Sequence, residues 1–171
     1  MKLVEGASLR QRLAVKPPLV ESFVDAEAQI QMNGVDFTLR EVSRFGQEPG
    51  AIDFDNSERK TPETFSIEPD GDDWWHLAPG PYWVVYNEIV NIPTDMFGMA
   101  RTRSSLLRSG AHIATALWDS GYSGRSGSVL VVHNPAGLRL KRNARVLQLV
   151  FYALDAPAAK TYAGQYQGEN K

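Results

Sequence analysis

The sequence contains no cysteine among its 171 residues. This absence excludes a disulfide scaffold, a thiolate metal site and a cysteine nucleophile. The chain also lacks an apolar run of about 18 residues, the length that a membrane-spanning helix needs. Positive charge is not in excess, because the formal net charge is −2, so the basic surface that grips a nucleic-acid backbone is missing. We therefore expect no membrane span and no nucleic-acid partner.

The first residues of the sequence contain no long apolar stretch of the kind that marks a secretory signal. The expected location is therefore the cytoplasm. The overall composition, with 43% hydrophobic and 22% charged residues, is ordinary for a globular protein. A length of 171 residues suits one domain with a single core. We expect one domain over residues 1–171, with an N-terminal segment at 1–20.

Short runs with strand character dominate the chain. Residues 35–40 alternate between apolar and polar side chains, whereas 82–86, 129–132 and 144–154 are rich in valine and aromatic residues. Scattered glycines and prolines separate these runs and act as turn residues. This pattern predicts an all-β barrel or jelly roll.

Two short segments have helical character, residues 9–15 and the RSSLLR sequence at 103–108. In the second segment Ser104 can cap a helix, and Leu106 and Leu107 can pack inward.

Two longer segments carry no strand or helix signal. Residues 44–73 are polar and interrupted by proline, glycine and aspartate, which predicts a long excursion or a hairpin extension. Residues 155–171 are rich in alanine, glycine and glutamine, which predicts a mobile C-terminal tail.

Guanidinium and hydroxyl groups are concentrated around the second helical segment. They belong to Arg101, Arg103, Ser104, Ser105 and Arg108. Arginine forks match phosphate oxygens, and the start of a helix adds free backbone N–H groups. The segment can therefore bind a polyphosphate, although on its own it is more commonly an exposed basic helix with a serine cap.

A carboxylate lies in the glycine-rich turn WDSGYSGR at 118–125. Asp119 can orient and deprotonate a water beside a phosphate, and the ring of Tyr122 can pack against a sugar or base. Taken alone, such a segment is more often an ordinary hairpin turn. Asp36 at a strand entry and Gln148 inside an apolar strand also have common structural explanations, a turn residue and a hydrogen-bonded polar group.

The three histidines, His76, His112 and His133, lack the spacing of metal ligands. We expect them to be structural or exposed, and we predict no zinc site. Neither G-x-x-x-x-G-K-[ST] nor G-x-G-x-x-G occurs in the sequence, so P-loop and Rossmann nucleotide binding have no support.

The order of the polar segments is more informative than any one of them. The series NGVD at 33–36, RTRSSLLRSG at 101–110, ALWDSGYSGR at 116–125 and ARVLQLVFYAL at 144–154 resembles the dUTPase and dCTP deaminase superfamily. It is most similar to the archaeal-type dUTPases related to dCTP deaminase. The resemblance implies a distorted jelly roll, the dUTPase-like β-clip, with one or two short helices. It also implies a homotrimer with its sites between subunits.

The resemblance further implies a deoxynucleoside triphosphate as substrate, with Mg²⁺ held by the triphosphate and by water and no direct protein ligand. The residues that would bind the phosphates are Arg103, Ser104, Ser105 and Arg108, with Gln148 near the phosphates and the magnesium waters. Asp36 would have a structural role beside them.

On the nucleoside side, the resemblance makes Asp119 the residue that activates water and contacts the deoxyribose. Tyr122 would lie against the sugar and disfavour a 2′-hydroxyl, while the backbone around Ala116 would read the pyrimidine edge. In the tail over the active site, Tyr162 and Gln167 would cover the nucleotide.

One position separates the two branches of the superfamily. Deaminases are similar to D-x-G-[FWY]-x-G-x-[IV]-x-x-E, in which the glutamate shuttles protons at C4 of cytosine. Here Val129 stands ten residues after Asp119, and a turn two residues longer would move the position to Val131. Because valine cannot transfer a proton, the prediction is a dUTP diphosphatase that forms dUMP and pyrophosphate. The alternatives are a dCTP deaminase or bifunctional enzyme that uses another acid, and a non-catalytic nucleotide-binding trimer.

Overall fold

Fourteen strands and three short helices follow one another along the chain, of which the computed structural model describes every residue from Met1 to Lys171. Strands hold 42% of the residues and helices 11%, so the prediction of an all-β protein is confirmed. The strands are β1 (Lys2–Val4), β2 (Val20–Glu21), β3 (Ile30–Gln31), β4 (Gly34–Phe45), β5 (Thr64–Ser66), β6 (Trp74–Leu77), β7 (Gly80–Tyr86), β8 (Ile89–Asn91), β9 (Met96–Thr102), β10 (Ala111–Ala114), β11 (Ser123–Gly124), β12 (Gly127–Val132), β13 (Leu138–Lys141) and β14 (Arg145–Ala153). The helices are α1 (Gly6–Ala14), α2 (Ala26–Gln29) and α3 (Ser104–Arg108).

The long strand β4 joins the two halves of a curled, nine-stranded antiparallel sheet. Its first half pairs with β14, and its second half pairs with β7 after a register shift between Leu39 and Glu41. A strand that changes partners at such an irregularity lets a sheet turn a corner and fold onto itself. The strand order β1-β14-β4-β7-β12-β10, with β9 on β14, builds the distorted jelly roll expected from the sequence.

Alternation along β14 shows how the sequence fills the core. Leu147, Leu149 and Phe151 are fully buried, whereas Gln148 between them is only half-buried. Successive side chains of a strand point to opposite faces, so the apolar set enters the core and the glutamine faces the other way. The same geometry places Gln148 opposite Asp36 on β4 and opposite Arg101 on β9.

The structure contains three helices, one more than predicted. The additional helix, α2, has only four residues, and the Asp25 carboxylate caps it by accepting the N–H groups of Glu27 and Ala28 at 3.0 and 3.2 Å. A helix this short has no hydrophobic period to detect in a sequence. None of the three helices has the length and apolar character required to cross a membrane.

The short helix α3 differs from the prediction in two details. Arg103, and not Ser104, occupies the capping position, and it makes no side-chain capping bond. Leu106 is buried as expected, but Leu107 is 54% exposed because α3 has one buried face only.

The polar segment 44–73 is largely the predicted hairpin extension. Strand β5 returns alongside the end of β4, the N–H of Gly46 donates to the Glu63 carbonyl, and Ala51 pairs with Lys60 further out. The extension therefore projects from the sheet as two antiparallel arms joined by a loop.

A carboxylate without a cationic partner is buried beneath the sheet corner. Glu88 is 0% exposed, and it accepts hydrogen bonds from the Gln29 amide at 2.6 Å and from the hydroxyl and N–H of Thr38 at 2.5 and 2.9 Å. Burial raises the pKa of Glu88 above its ordinary value, although these hydrogen bonds lower it. Gln29 also donates to the Asp36 carbonyl at 2.9 Å, so this network fixes the strand that carries Asp36.

We expect Glu88→Ala to lower the free energy of unfolding by roughly 2–4 kcal/mol, because it leaves the buried donors of Gln29 and Thr38 unpaired. The folded-state pKa is raised, so the contribution of Glu88 is complete below about 4.5, the ordinary glutamate value, and declines as the pH rises through the folded-state pKa. The deficit of the variant is therefore largest at acid pH. Urea denaturation across this pH range measures it.

The exposed carboxylate of Glu58, in the loop of the hairpin extension, makes no hydrogen bond or ion pair through its side chain, so Glu58→Ala is the control. It should change stability by less than about 0.5 kcal/mol. A Glu88→Ala deficit as small as that of the control would contradict the structural role of the network.

Candidate functional site

A cavity of about 600 Å³ lies between the glycine-rich turn at 118–125 and the C-terminal tail. This volume is within the range of sites for small ligands. Four residues that the sequence assigned to the site line it, namely Ala116, Asp119, Tyr122 and Tyr162.

The carboxylate of Asp119 is exposed and makes no hydrogen bond within the chain, whereas its neighbours are anchored. Gly98 on β9 and Trp118 exchange two backbone hydrogen bonds of 2.8 and 3.1 Å. The indole N–H of Trp118 donates to the Ser126 hydroxyl at 3.0 Å, and the Ser120 hydroxyl donates to the Met96 carbonyl at 2.6 Å. The turn therefore holds Asp119 in place and leaves its oxygens free for a ligand.

The ring of Tyr122 is buried at the edge of the cavity, with 6% of its surface exposed. It packs edge-to-face against Tyr162 with the ring centroids 5.5 Å apart, and its hydroxyl donates to Glu169 Oε1 at 2.8 Å. Burial raises the pKa of Tyr122, and the nearby Glu169 carboxylate raises it further. Burial also raises the pKa of Glu169.

A second polar group lies where β4, β14 and the end of β9 meet. Asp36 is 1% exposed, and its carboxylate lies 3.2 Å from Arg103 Nε and 3.4 Å from both Arg145 Nη1 and Gln148 Nε2. We call Arg103, Arg145 and Gln148 around Asp36 the arginine cluster. Burial raises the pKa of Asp36, although the two guanidinium groups and the glutamine amide lower it. The buried carboxylate orients both arginines while leaving them partly exposed.

The remaining predicted phosphate-binding residues continue from this cluster. Ser104, Ser105 and Arg108 lie on α3 directly after Arg103, and all three are exposed. The structure thus brings the predicted phosphate-binding residues to one surface.

The arginine cluster and the cavity are separate within one chain. Gly98 pairs with Trp118 at the cavity, and Arg103 lies five residues further along the extended β9 segment. At about 3.3 Å per residue, the two positions are roughly 16 Å apart. A single chain therefore does not place Arg103 beside Asp119, although the sequence assigned both to one site.

The C-terminal tail is docked along the turn at 121–125. The Gln167 side chain donates to the Gly121 carbonyl and accepts the Ser123 N–H, both at 2.9 Å. The Gly168 N–H donates to the Ser123 carbonyl at 2.7 Å. Gln167 therefore holds the turn and does not line the cavity. The mobility of the tail stays a prediction.

Residues 3–154 match the model of a family described as dCTP deaminase-like. The chain belongs to this family. The resemblance found in the sequence is thereby confirmed.

Similar proteins cover the chain almost completely. A probable deoxyuridine 5′-triphosphate nucleotidohydrolase of Methanosarcina mazei is 51% identical over 170 residues, which make up 99% of each chain. A protein of the same name from Archaeoglobus fulgidus is 46% identical over 170 residues, covering 99% of this chain and 98% of its own.

Among solved structures, the 2′-deoxycytidine 5′-triphosphate deaminase from Agrobacterium tumefaciens superposes with a TM-score of 0.65 at 17% identity. The match covers 89% of this chain and 48% of that longer chain. It supports the fold of this family member.

The sequence resemblance placed the deaminase glutamate at Val129 or Val131, and neither position lies in the cavity wall. The adjoining strand instead contributes Ser126, Gly127 and Ser128. The acidic residues of the cavity wall in this family member are Asp119 and Glu169.

Several cavity residues escaped the sequence analysis. They are Phe45, Thr61, Pro62, Thr64, Trp83, Tyr166 and Glu169. Four of them come from the hairpin extension or its base, so this extension forms one wall of the cavity. The sequence carried no signal for them, since close approaches such as that of Gly127 to Trp83, where a Cβ atom would lie 2.4 Å from the ring, arise only in the folded chain.

The three histidines belong neither to the cavity wall nor to the arginine cluster, and they are exposed or half-buried, as predicted. His76 contacts the Asp70 carboxylate at 2.8 Å. His112 and His133 stack, with Nδ1 and Nε2 2.9 Å apart.

Proposed function

We propose that the protein is a dUTP diphosphatase that hydrolyses dUTP to dUMP and pyrophosphate. The observation that carries this proposal is the unpaired carboxylate of Asp119, held beside the ring of Tyr122 in a cavity of nucleotide size. The strand that follows the turn presents only serine and glycine to this cavity. The names of the archaeal relatives, which match over nearly the whole chain, support the same activity.

The active site in this proposal is shared between subunits of a homotrimer. Asp119 and Tyr122 come from one chain, and the phosphate-binding residues come from the arginine cluster and α3 of a neighbouring chain. The separation of roughly 16 Å between Arg103 and the turn supports this arrangement. A nucleotide in the cavity needs cations for its phosphates, and the chain that forms the cavity does not place these arginines there.

Hydrolysis then requires positioned water, a base and fixed cations. Asp119 accepts a proton from a water molecule, whose oxygen attacks the α-phosphorus. The bond between the α-phosphorus and the oxygen bridging to the β-phosphorus breaks, and pyrophosphate leaves. The phosphate oxygens are held by arginine and serine side chains of the neighbouring subunit, namely Arg103, Ser104, Ser105 and Arg108.

The donors at the site fit a magnesium ion that is held mainly by the substrate. Mg²⁺ prefers oxygen ligands, keeps several waters, and is commonly bound through one or two carboxylates together with substrate phosphates. The ion would be held by the triphosphate and by water without a direct protein ligand, and Gln148 offers an amide near the phosphates and the magnesium waters. When bound, the ion neutralises part of the triphosphate charge.

The nucleoside is recognised by the remainder of the wall. Tyr122 packs against the deoxyribose and disfavours a 2′-hydroxyl, and the backbone around Ala116 reads the pyrimidine edge. The tail, residues 155–171, covers the site of this single-domain protein, with Tyr162 in the wall and Gln167 holding the turn from behind. Asp36 serves the site indirectly, by orienting Arg103.

Purified protein incubated with Mg²⁺ and either dUTP or dCTP tests the proposal. We expect dUMP and pyrophosphate from dUTP, and no product from dCTP. Release of dUTP or dUMP from dCTP would instead indicate a deaminase, and turnover of neither substrate would indicate a nucleotide-binding protein without this activity.

A further inference from the structure

The hydroxyl of Tyr122 is bonded to a carboxyl group for which the proposed mechanism has no use. Glu169 belongs to the C-terminal tail, and its Oε1 atom accepts the Tyr122 hydroxyl at 2.8 Å inside the cavity wall. The carboxyl is half-buried and has no cationic partner. Burying a carboxyl group costs free energy, and a hydrogen bond offsets only part of that cost. The burial of Glu169 against Tyr122 therefore suggests a specific role.

Backbone pairing on both sides of Glu169 fixes its position. The Gly168 N–H donates to the Ser123 carbonyl at 2.7 Å, and the Arg125 N–H donates to the Glu169 carbonyl at 2.9 Å. Arg125 and Asn170 then exchange two further bonds of 2.9 and 3.0 Å. The Glu169 side chain therefore enters the wall at one defined point.

The glycines of the turn leave room for this arrangement. A Cβ atom on Gly124 would lie 2.7 Å from the Tyr122 hydroxyl and 3.3 Å from the Glu169 nitrogen. A Cβ atom on Gly121 would lie 2.7 Å from Thr161 in the tail, and its φ of +87° favours glycine as well. Both turn glycines thus accommodate the docked tail.

We propose that Glu169 is a positioning residue, which holds the Tyr122 hydroxyl and thereby fixes the ring that distinguishes deoxyribose from ribose. This inference rests on the proposed function for the identity of the ligand. Tyr162 braces one edge of the ring, and Glu169 holds its polar end. Loss of the carboxyl leaves the ring free to turn, so the space that a 2′-hydroxyl needs becomes accessible.

Binding of non-hydrolysable imido analogues of dUTP and UTP, measured by calorimetry, tests the proposal without requiring turnover. Glu169→Ala should lower the ratio of dUTP to UTP affinity by roughly five- to tenfold, the effect of one lost hydrogen bond. Glu169→Gln should retain most of the ratio, because its carbonyl oxygen still accepts from Tyr122. Asp72→Ala, at an exposed carboxylate that does not line the cavity, is the control and should retain all of it.

A double-mutant cycle with Tyr122→Phe separates positioning from general support of the tail. Without the hydroxyl, adding Glu169→Ala should change the ratio by less than about twofold. An unchanged ratio in Glu169→Ala, or the same decrease in the Tyr122→Phe background, would overturn the inference. Selective binding without hydrolysis would remove only the proposed function, and a wild-type protein that binds neither analogue would remove both.

Discussion

Replacement of Asp119 by asparagine is expected to lower kcat for dUTP by roughly 10³-fold, the contribution of a well-placed general base. Asparagine has the shape of aspartate but cannot accept the proton of the attacking water. The hydrogen bonds that hold the turn come from Trp118 and Ser120 and do not involve the Asp119 side chain. The turn should therefore keep its conformation in the variant. Steady-state pyrophosphate release measures kcat.

Nucleotide affinity distinguishes a lost base from a damaged site. Removal of a negative charge beside a polyphosphate does not weaken its electrostatic attraction, so the dissociation constant for the imido analogue of dUTP should change by less than about threefold. Asp72→Asn makes the same chemical change on an exposed turn and should leave both quantities unaltered. A residual kcat above about a tenth of wild type would show that another group takes the proton.

The strands could be predicted from local sequence because their hydrophobic patterns are local. The alternation at 35–40 and the valine-rich runs at 82–86 and 129–132 lie within strands of the structure, and β14 covers the run at 144–154 except for its first and last residues. A turn of four helical residues at 26–29 offers no such period, and it was missed.

The parts of the site that could be predicted are those whose residues are neighbours in the sequence. The turn at 118–125 and the segment at 103–108 each carry their polar residues together. The pairing of Asp36 with Arg103 and that of Tyr122 with Glu169 join residues far apart in the chain. Such contacts depend on strand order and on how the tail docks, so composition and spacing do not reveal them.

The hairpin extension illustrates the same limit. Its polar residues, with scattered proline and glycine, indicated irregular structure and nothing more specific. Only the register of β4 with β5 brings Phe45 and Thr64 to the cavity, opposite the turn. The function of such a segment is a property of the folded sheet.

A shared active site makes two inactive variants complement each other. One variant carries Asp119→Asn, and the other carries Arg103→Gln with Arg108→Ala. The glutamine amide can still donate to Asp36, and the Arg108 side chain makes no hydrogen bond or ion pair in the chain, so both variants should fold. Each alone should hydrolyse dUTP at a small fraction of the wild-type rate.

After the two variants are unfolded together at equal concentration and refolded, activity should return. A site needs Asp119 from one subunit and the arginines from its neighbour, and random assembly of a cyclic trimer unites them in roughly a quarter of the sites. We therefore expect about a quarter of the wild-type rate per subunit, with refolded mixtures of each variant alone as controls. If activity stays at the level of the separate variants while native mass spectrometry of the two variants, one of them carrying an affinity tag, reports mixed trimers, the arginines and Asp119 act within one chain. The distance of roughly 16 Å along β9 would then have to close by a movement of the turn, because the base and the phosphate-binding cations must act on one triphosphate.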